Sequence, residues 1–331
     1  MQLLVWHKHR LTILKPKFEG LPDGHCSKPD YLFRLAQLFY LVGDRAGSKL
    51  LLNHALKLWR ERGDVLKVAQ TLVGLSGTNE LLGLRKEGIR QAKEALEILE
   101  RLGHGVGQAG CLLDLAWLLL GDQQLDAAED AALRAIGLRE KGGQFEACRA
   151  HRVLGKIYRS KGQTEKATHH FKVALGIAST FNWSAGLFWV HHNLAYLFHK
   201  GCRFDNAHAR IEQAKSHAGG GPYLLGHVME MRARVLYGQE RLEEARSKAL
   251  YAADIFKKLA VAENTEFCRK LLQRIEDKLN NPVASGQSVF DCELPQTLML
   301  PPASINRPLS SWNRAIALTV VSPSFKCIPV H

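Results

Sequence analysis

Proline is almost missing from the middle of this chain. Of eleven prolines, only Pro222 lies between Pro29 and Pro282, and seven lie from Pro282 onward. Proline removes an amide donor and clashes with the preceding helical turn. The long middle is therefore free to be helical, and the last stretch is not. The seven cysteines, Cys26, Cys111, Cys148, Cys202, Cys268, Cys292 and Cys327, form no C-x-x-C pair, and their number is odd. That argues against a disulfide framework or a zinc ribbon and for reduced thiols in the cytoplasm, with the nucleus as the alternative. No apolar run approaches the roughly 20 residues of a membrane span. The opening MQLLVWHKHRLTILKPKF lacks the apolar core of a secretory signal. No membrane partner is expected. No G-x-x-x-x-G-K-[ST] occurs either. Gly43, Gly47, Ser48 and Lys49 have the wrong spacing for a phosphate loop, and no buried strand precedes them. Acid is in short supply: Lys+Arg number 45 against Asp+Glu 32, a net charge of +13. Such an excess attracts acidic partners, but it is scattered, as on any solvated repeat surface.

What the chain does have is a period. The stretch from Phe145 to Trp183, FEACRAHRVLGKIYRSKGQTEKATHHFKVALGIASTFNW, carries two apolar stripes joined at Lys161 and Gly162. Leu154, Gly155, Tyr158, Ala167, Phe171 and Ala174 mark it. Stepping by about 40 residues aligns Gly155 with Ala36, Ser76, Ala116, Ala195 and Ala233. The same step aligns Ala167 with Ser48, Gly88, Ala128, Ala207 and Ala245, and Ala174 with Ala55, Ala95, Ala135, Ala214 and Ala252. All three columns hold only Gly, Ala or Ser. Close helix crossing explains that restriction, because a larger side chain there overpacks the crossing by about 1–3 kcal/mol.

The L-G-x2-Y and A-x3-F pattern resembles the tetratricopeptide repeat (TPR) family over residues 30–280. The runs QLDAAEDAALRAI, HRVLGKIYRSKG, HFKVALGIASTFNW, IEQAKSHA and CRKLLQRIE are similar to the TPR arrays of fungal NACHT or NB-ARC (STAND-type) proteins and their stand-alone relatives. The step, longer than the usual repeat, resembles the longer-helix variants of kinesin light chains. Two features depart from the general motif: His151 stands in place of its tryptophan, and the closing proline is absent. The resemblance implies an all-α fold, an α-solenoid of about six helix pairs in a right-handed superhelix with helices A on the concave side. It also implies a function class, the sensor array of a NACHT/NB-ARC-type ATPase. With no nucleotide motif of its own, this chain takes over no ATPase activity.

The expected organisation is an irregular lead-in over 1–29, a repeat domain over 30–280 and a disordered proline-rich tail over 281–331. Asn264 to Asn280 reads as a capping helix, which a solenoid requires. Asp30 and Ser184 are candidate N-caps, and Pro222 opens a helix at its first turn. Gly74, Gly77, Gly83 and Gly88 each weaken a helix by about 1 kcal/mol. With Asn79 standing where repeat four has Tyr158, repeat two is expected to be a flexible point. In the tail, AIALTVV (315–321) is apolar and β-prone.

The residue after each small crossing residue, and those one turn either side, should face the groove. The expected peptide-binding groove comprises Trp117, Arg152, Lys156, Arg159, His192, Tyr196, His199, Arg234 and Tyr237. Cations interleaved with aromatics suit an acidic or carboxylate-bearing segment. They form no continuous stripe, so nucleic acid is not favoured. Arg152, Lys156, Asn193, His227 and Met231 occupy the positions of the carboxylate clamp of chaperone-binding TPR domains, and only Asn193 and the charge of Arg152 agree. His151 and His191 read as interior histidines. His192 and His199 share a face, but a zinc site needs three or four converging ligands. No cofactor, metal or catalytic residue is expected. The reading is a protein–protein interaction scaffold for acidic or amphipathic segments. Its alternatives are a detached regulatory module of a STAND-type ATPase and a nucleic-acid-binding solenoid.

Overall fold

The computed structural model describes Thr12, Pro16 and residues 20–42, 44–259 and 261–280. The expected tail over 281–331, most of the lead-in and Gly43 lie outside the described residues. Within them the regular elements are thirteen helices and no strands. These are α1 (Lys28–Val42), α2 (Arg45–Glu61), α3 (Val65–Leu81), α4 (Arg85–Arg101), α5 (Gly105–Gly121), α6 (Leu125–Gly137), α7 (Arg139–Ser160), α8 (Thr164–Thr180), α9 (Ser184–Lys200), α10 (Phe204–Ser216), α11 (Pro222–Gly238), α12 (Leu242–Lys258) and α13 (Ala262–Asn280). None is long and apolar enough to cross a membrane.

The chain divides into two compact units, one through Glu146 and one from Ala147. In the first, α1 packs on α2, α3 on α4 and α5, and α5 on α6. In the second, α9 packs on α8, α10 and α11, while α11 packs on α12 and α13. Helix pairs thus stack in sequence, and first helices of neighbouring pairs also meet, α3 with α5 in the first unit and α9 with α11 in the second. This is an all-α solenoid of TPR-like pairs. The last helix, α13, buries Leu271 and Ile275 against Ala233, Leu236, Ala245 and Ala249.

The three small-residue columns lie inside. All eighteen positions are buried. A Cβ added to Gly155 would sit 2.5, 2.7 and 2.8 Å from three ring atoms of Phe171, itself fully buried. Glycine at that crossing makes the space that the phenylalanine fills. Gly226 on α11 stands in the same relation to Phe256, at 2.8 Å.

The turns follow one recipe. Most of them end a helix with a residue at positive φ, a left-handed cap. Gly162 (φ 74) serves between α7 and α8, and Gln123, Cys202 and Glu240 take the same role despite their Cβ atoms. Side-chain caps start several helices. Asp44 accepts from the Gly47 amide at 2.8 Å and Asp64 from the Lys67 amide at 3.0 Å.

Several expectations need correction. Asp30 is not an N-cap, because α1 begins at Lys28. It sits in the first turn, where a carboxylate favours the helix dipole, and holds Lys67 at 3.1 Å. Ser184 is the first residue of α9 and Trp183 is its N-cap, with the Trp183 ring lying against Gly186. Of the glycines counted against the second repeat, Gly74, Gly77 and Gly88 lie within helices and Gly83 lies in the turn between them. Gly83 (φ 74) forms the turn, and Gly88 lets α4 approach α3, since its Cβ would lie 2.9 Å from the Ser76 carbonyl. Asn79 donates to Gln91 Oε1 at 2.8 Å, a buried bond joining α3 and α4.

Candidate functional site

The second unit gathers all but one of the expected groove residues. Arg152, Lys156 and Arg159 come from α7, His192, Tyr196 and His199 from α9, and Arg234 and Tyr237 from α11. Within each helix they are spaced by three, four or seven, which places them on one face. Trp117 belongs to α5 in the first unit, where it is buried.

Tyr196 is the hub. The Arg159 guanidinium carbon lies 4.5 Å and that of Arg234 5.5 Å from its ring centroid. Arg234 also lies 4.2 Å from the Phe267 ring on α13. Cations over aromatic faces are attracted by the ring quadrupole, by about 2 kcal/mol or more when desolvated. Arg159 Nη1 donates to Asn193 Oδ1 at 3.3 Å, and Asn193 Nδ2 donates to the Trp189 carbonyl at 2.6 Å. Asn193, the residue shared with the carboxylate clamp, is thereby engaged within the protein. At the far end of α11, Lys278 Nζ lies 5.2 Å from the Tyr237 ring.

Sequence reasoning set these cations on the wall of an open groove. The structure buries Lys156, His192, His199 and Arg234 and leaves Arg152, Arg159, Tyr196 and Tyr237 half-buried. For the residues on α9 and α11 the reason is close packing of alternate helices: α9 meets α11, and α11 meets α13. The accessible part of the site is thus the Arg152, Arg159, Tyr196 and Tyr237 rim over a buried polar layer.

That layer centres on Glu230, a fully buried carboxylate on α11. One oxygen, Oε1, pairs with Arg234 Nε one turn on. The other, Oε2, lies 3.9 Å from His192 Nε2 and 3.9 Å from His227 Nδ1. Both gaps exceed hydrogen-bond length. Neither Glu230 oxygen accepts a well-directed hydrogen bond, and His192 Nε2 and both His227 nitrogens have no hydrogen-bond partner. Aromatic rings enclose His227 edge-on: Trp189 at 5.0 Å, Tyr223 at 4.8 Å and Phe256 at 5.1 Å between centroids. Burial pushes the His227 and His192 imidazoles below their usual range, so both are neutral at pH 7. Burial, with Arg234 and Lys200 nearby, brings His199 down to about 4.

Sequence reasoning missed this convergence. Glu230 occupies the same repeat position as His192, and equivalent positions in neighbouring pairs face each other. His227 one turn before it was the remaining signal. The other histidines play local parts. His151 is half-buried with Nδ1 2.9 Å from His170 Nδ1, and His191 is buried and stacks on His217 at 5.9 Å. The buried thiols are tuned away from nucleophilicity: burial raises Cys148 to about 11 and raises Cys111 and Cys268 further.

An all-α stack of TPR-like pairs is also what the comparisons find. No protein-family model matches the chain, and no curated protein matches it. Solved structures do. A tetratricopeptide repeat protein from Parabacteroides merdae superposes with TM-score 0.60 at 14% identity, over 80% of this chain and 91% of that one. A Rap protein complexed with Competence and Sporulation Factor gives TM-score 0.56 at 17% identity, over 84% and 86%. The APC/C hetero-tetramer Cut9–Hcn1 gives 0.57 at 16% identity, over 81% of this chain and 46% of that chain. At these identities the likeness is one of fold.

Proposed function

We propose that this protein is an interaction scaffold whose second unit binds acidic segments of other proteins across α7, α9 and α11. The supporting observation is the charge balance of that face. Among its nine inward positions are four permanent cations, Arg152, Lys156, Arg159 and Arg234, and one carboxylate, Glu230. The guanidinium of Arg159, held over Tyr196 and bonded to Asn193, is half-buried and pre-oriented, so little rotamer entropy is lost when a carboxylate docks. A Rap protein of the same fold was solved complexed with Competence and Sporulation Factor, and Cut9 with Hcn1. A ligand-bearing role is in keeping with that architecture. The likeness of the quoted runs to STAND-type arrays supports a narrower form, in which the bound segment belongs to a separate NACHT/NB-ARC-type ATPase.

The test is selection from a displayed random-peptide library on the purified protein. Enrichment of Asp- and Glu-bearing peptides is expected, with affinity falling as salt rises. Arg152→Gln with Arg159→Gln should weaken the selected peptides about tenfold or more, since each charge-assisted bond contributes about 1.5–3 kcal/mol. Selected peptides that are basic or purely apolar, or that bind the double variant equally well, would refute the assignment. Salt-sensitive binding of an oligonucleotide in place of peptides would favour the nucleic-acid alternative instead.

A further inference from the structure

We infer that His192, His227 and Glu230 form a divalent-metal site of the zinc type inside the second unit. One ligand atom from each, His192 Nε2, His227 Nδ1 or Nε2 and a Glu230 oxygen, lies within 4.8 Å of the others. Two imidazole nitrogens and one carboxylate oxygen are a three-protein-ligand set that leaves a fourth position open.

Three features of the cluster point to an ion. The first is the division of labour on Glu230. Arg234 engages Oε1, which leaves Oε2 as the point equidistant, at 3.9 Å, from both imidazole nitrogens. The second is the size of the gaps. They are too long for hydrogen bonds, while metal–ligand bonds of about 2.0–2.2 Å bring neighbouring ligand atoms to within about 3.4 Å of one another. Closing the two Glu230–histidine gaps by about half an ångström each, and the His192–His227 separation, within 4.8 Å, by up to about 1.4 Å, completes the site. The third is the number of buried polar atoms left without a hydrogen bond once Arg234 has taken Glu230 Oε1: His192 Nε2, both nitrogens of His227 and Glu230 Oε2. Buried polar atoms in folded proteins are satisfied by protein, water or an ion.

The chemistry selects the metal class. Two imidazole nitrogens with a carboxylate suit zinc, cobalt or nickel rather than calcium or magnesium, which prefer all-oxygen shells. The Trp189, Tyr223 and Phe256 rings around His227 keep water from one side. His192, the most exposed of the three ligands, marks the open side. The Lys156, Arg159 and Arg234 cations face the same layer and oppose a dication. The fourth ligand is accordingly expected to be an anion, chloride or hydroxide in the purified protein, rather than neutral water.

Cobalt(II) and zinc titrated into the metal-stripped full chain provide the test. The expected result is one equivalent of cobalt bound, with the visible d–d absorption of a four- or five-coordinate nitrogen–oxygen site, displaced by zinc. His192→Gln should weaken zinc binding by more than about tenfold, the lower bound for disturbing even the outer shell of a metal site. His169→Gln on the exposed face of α8 should leave it unchanged. If His192→Gln fails to fold, Glu230→Asp withdraws the carboxylate by one methylene and should show the same loss. Absence of stoichiometric cobalt or zinc binding by the folded wild-type chain would overturn the inference. So would binding that His192→Gln and Glu230→Asp leave intact, since the layer would then hold water only.

Discussion

Replacing Gly155 by alanine should be costly in the wild-type protein and stabilising once Phe171 is removed. An added Cβ meets three Phe171 ring atoms at 2.5–2.8 Å. The ring has nowhere to go, because it is fully buried against α7. Overpacking of this kind costs about 1–3 kcal/mol. Against it stands the helix propensity of alanine over glycine, about 1 kcal/mol. Gly155→Ala alone should therefore change stability by about 0 to 2 kcal/mol in the destabilising direction. Phe171→Ala should cost about 3–5 kcal/mol. In that background the clash is gone and the propensity gain is not, so Gly155→Ala should now stabilise by about 1 kcal/mol. The coupling energy of the cycle is then about 1–3 kcal/mol. Gly176 on α8 is the control, because its added Cβ meets nothing within 4 Å. Gly176→Ala should stabilise by about 1 kcal/mol in either background. Urea unfolding followed by far-ultraviolet circular dichroism reads the midpoints. Hydrogen exchange on α7 and α8 localises the effect, since stacked pairs do not have to unfold as one cooperative block. Equal effects of Gly155→Ala in both backgrounds would refute the idea that glycine is there to admit the ring.

Two further outcomes follow from the polar layer. In the metal-free protein, Glu230→Gln leaves the Arg234 guanidinium without its counter-charge and should destabilise by about 3–5 kcal/mol, the usual cost of breaking a buried pair from one side. Glu230→Met combined with Arg234→Met should recover most of that loss, and urea midpoints check both. The second outcome concerns pH. His199 has a folded-state value of about 4, below its ordinary 6.5. The unfolded chain therefore binds a proton here that the folded chain refuses. The stabilisation from keeping His199 neutral is full above about pH 6.5 and is lost as pH falls toward 4, roughly 3 kcal/mol in all. His199→Gln should flatten thermal stability across that window, and an unchanged profile would contradict the burial assigned to this ring.

How much of this was legible in the sequence depends on what each residue had to satisfy. Ala36, Gly155, Ala233 and their fellows were readable because a helix crossing admits only tiny side chains, a constraint local to each repeat and repeated along the chain. Helix starts were read less well. At Ser184 the hydroxyl suggested a cap, but the Trp183 ring packed on Gly186 fixes the entry instead. Asp30 likewise looked like a cap and is a first-turn carboxylate. The burial of the expected groove residues was read less well than their placement on one face of α7, α9 and α11. Periodicity says which way Lys156 and Arg234 point, whereas their burial depends on how closely α9 and α11 approach, which only the packing decides. Glu230 was seen as one more inward position. Its meeting with His192 and His227 joins residues one repeat apart and becomes visible only when equivalent positions are set side by side.

Photo-crosslinking of an acidic library-selected peptide to the intact protein, with the modified residues mapped by mass spectrometry, tests the proposed interaction face most directly. Modification confined to α7, α9 and α11, around Arg152, Arg159, Tyr196 and Tyr237, is the expected result. Modification of the second helices of the pairs, α8, α10 and α12, would show that the basic and aromatic face is internal architecture and not the place where partners bind.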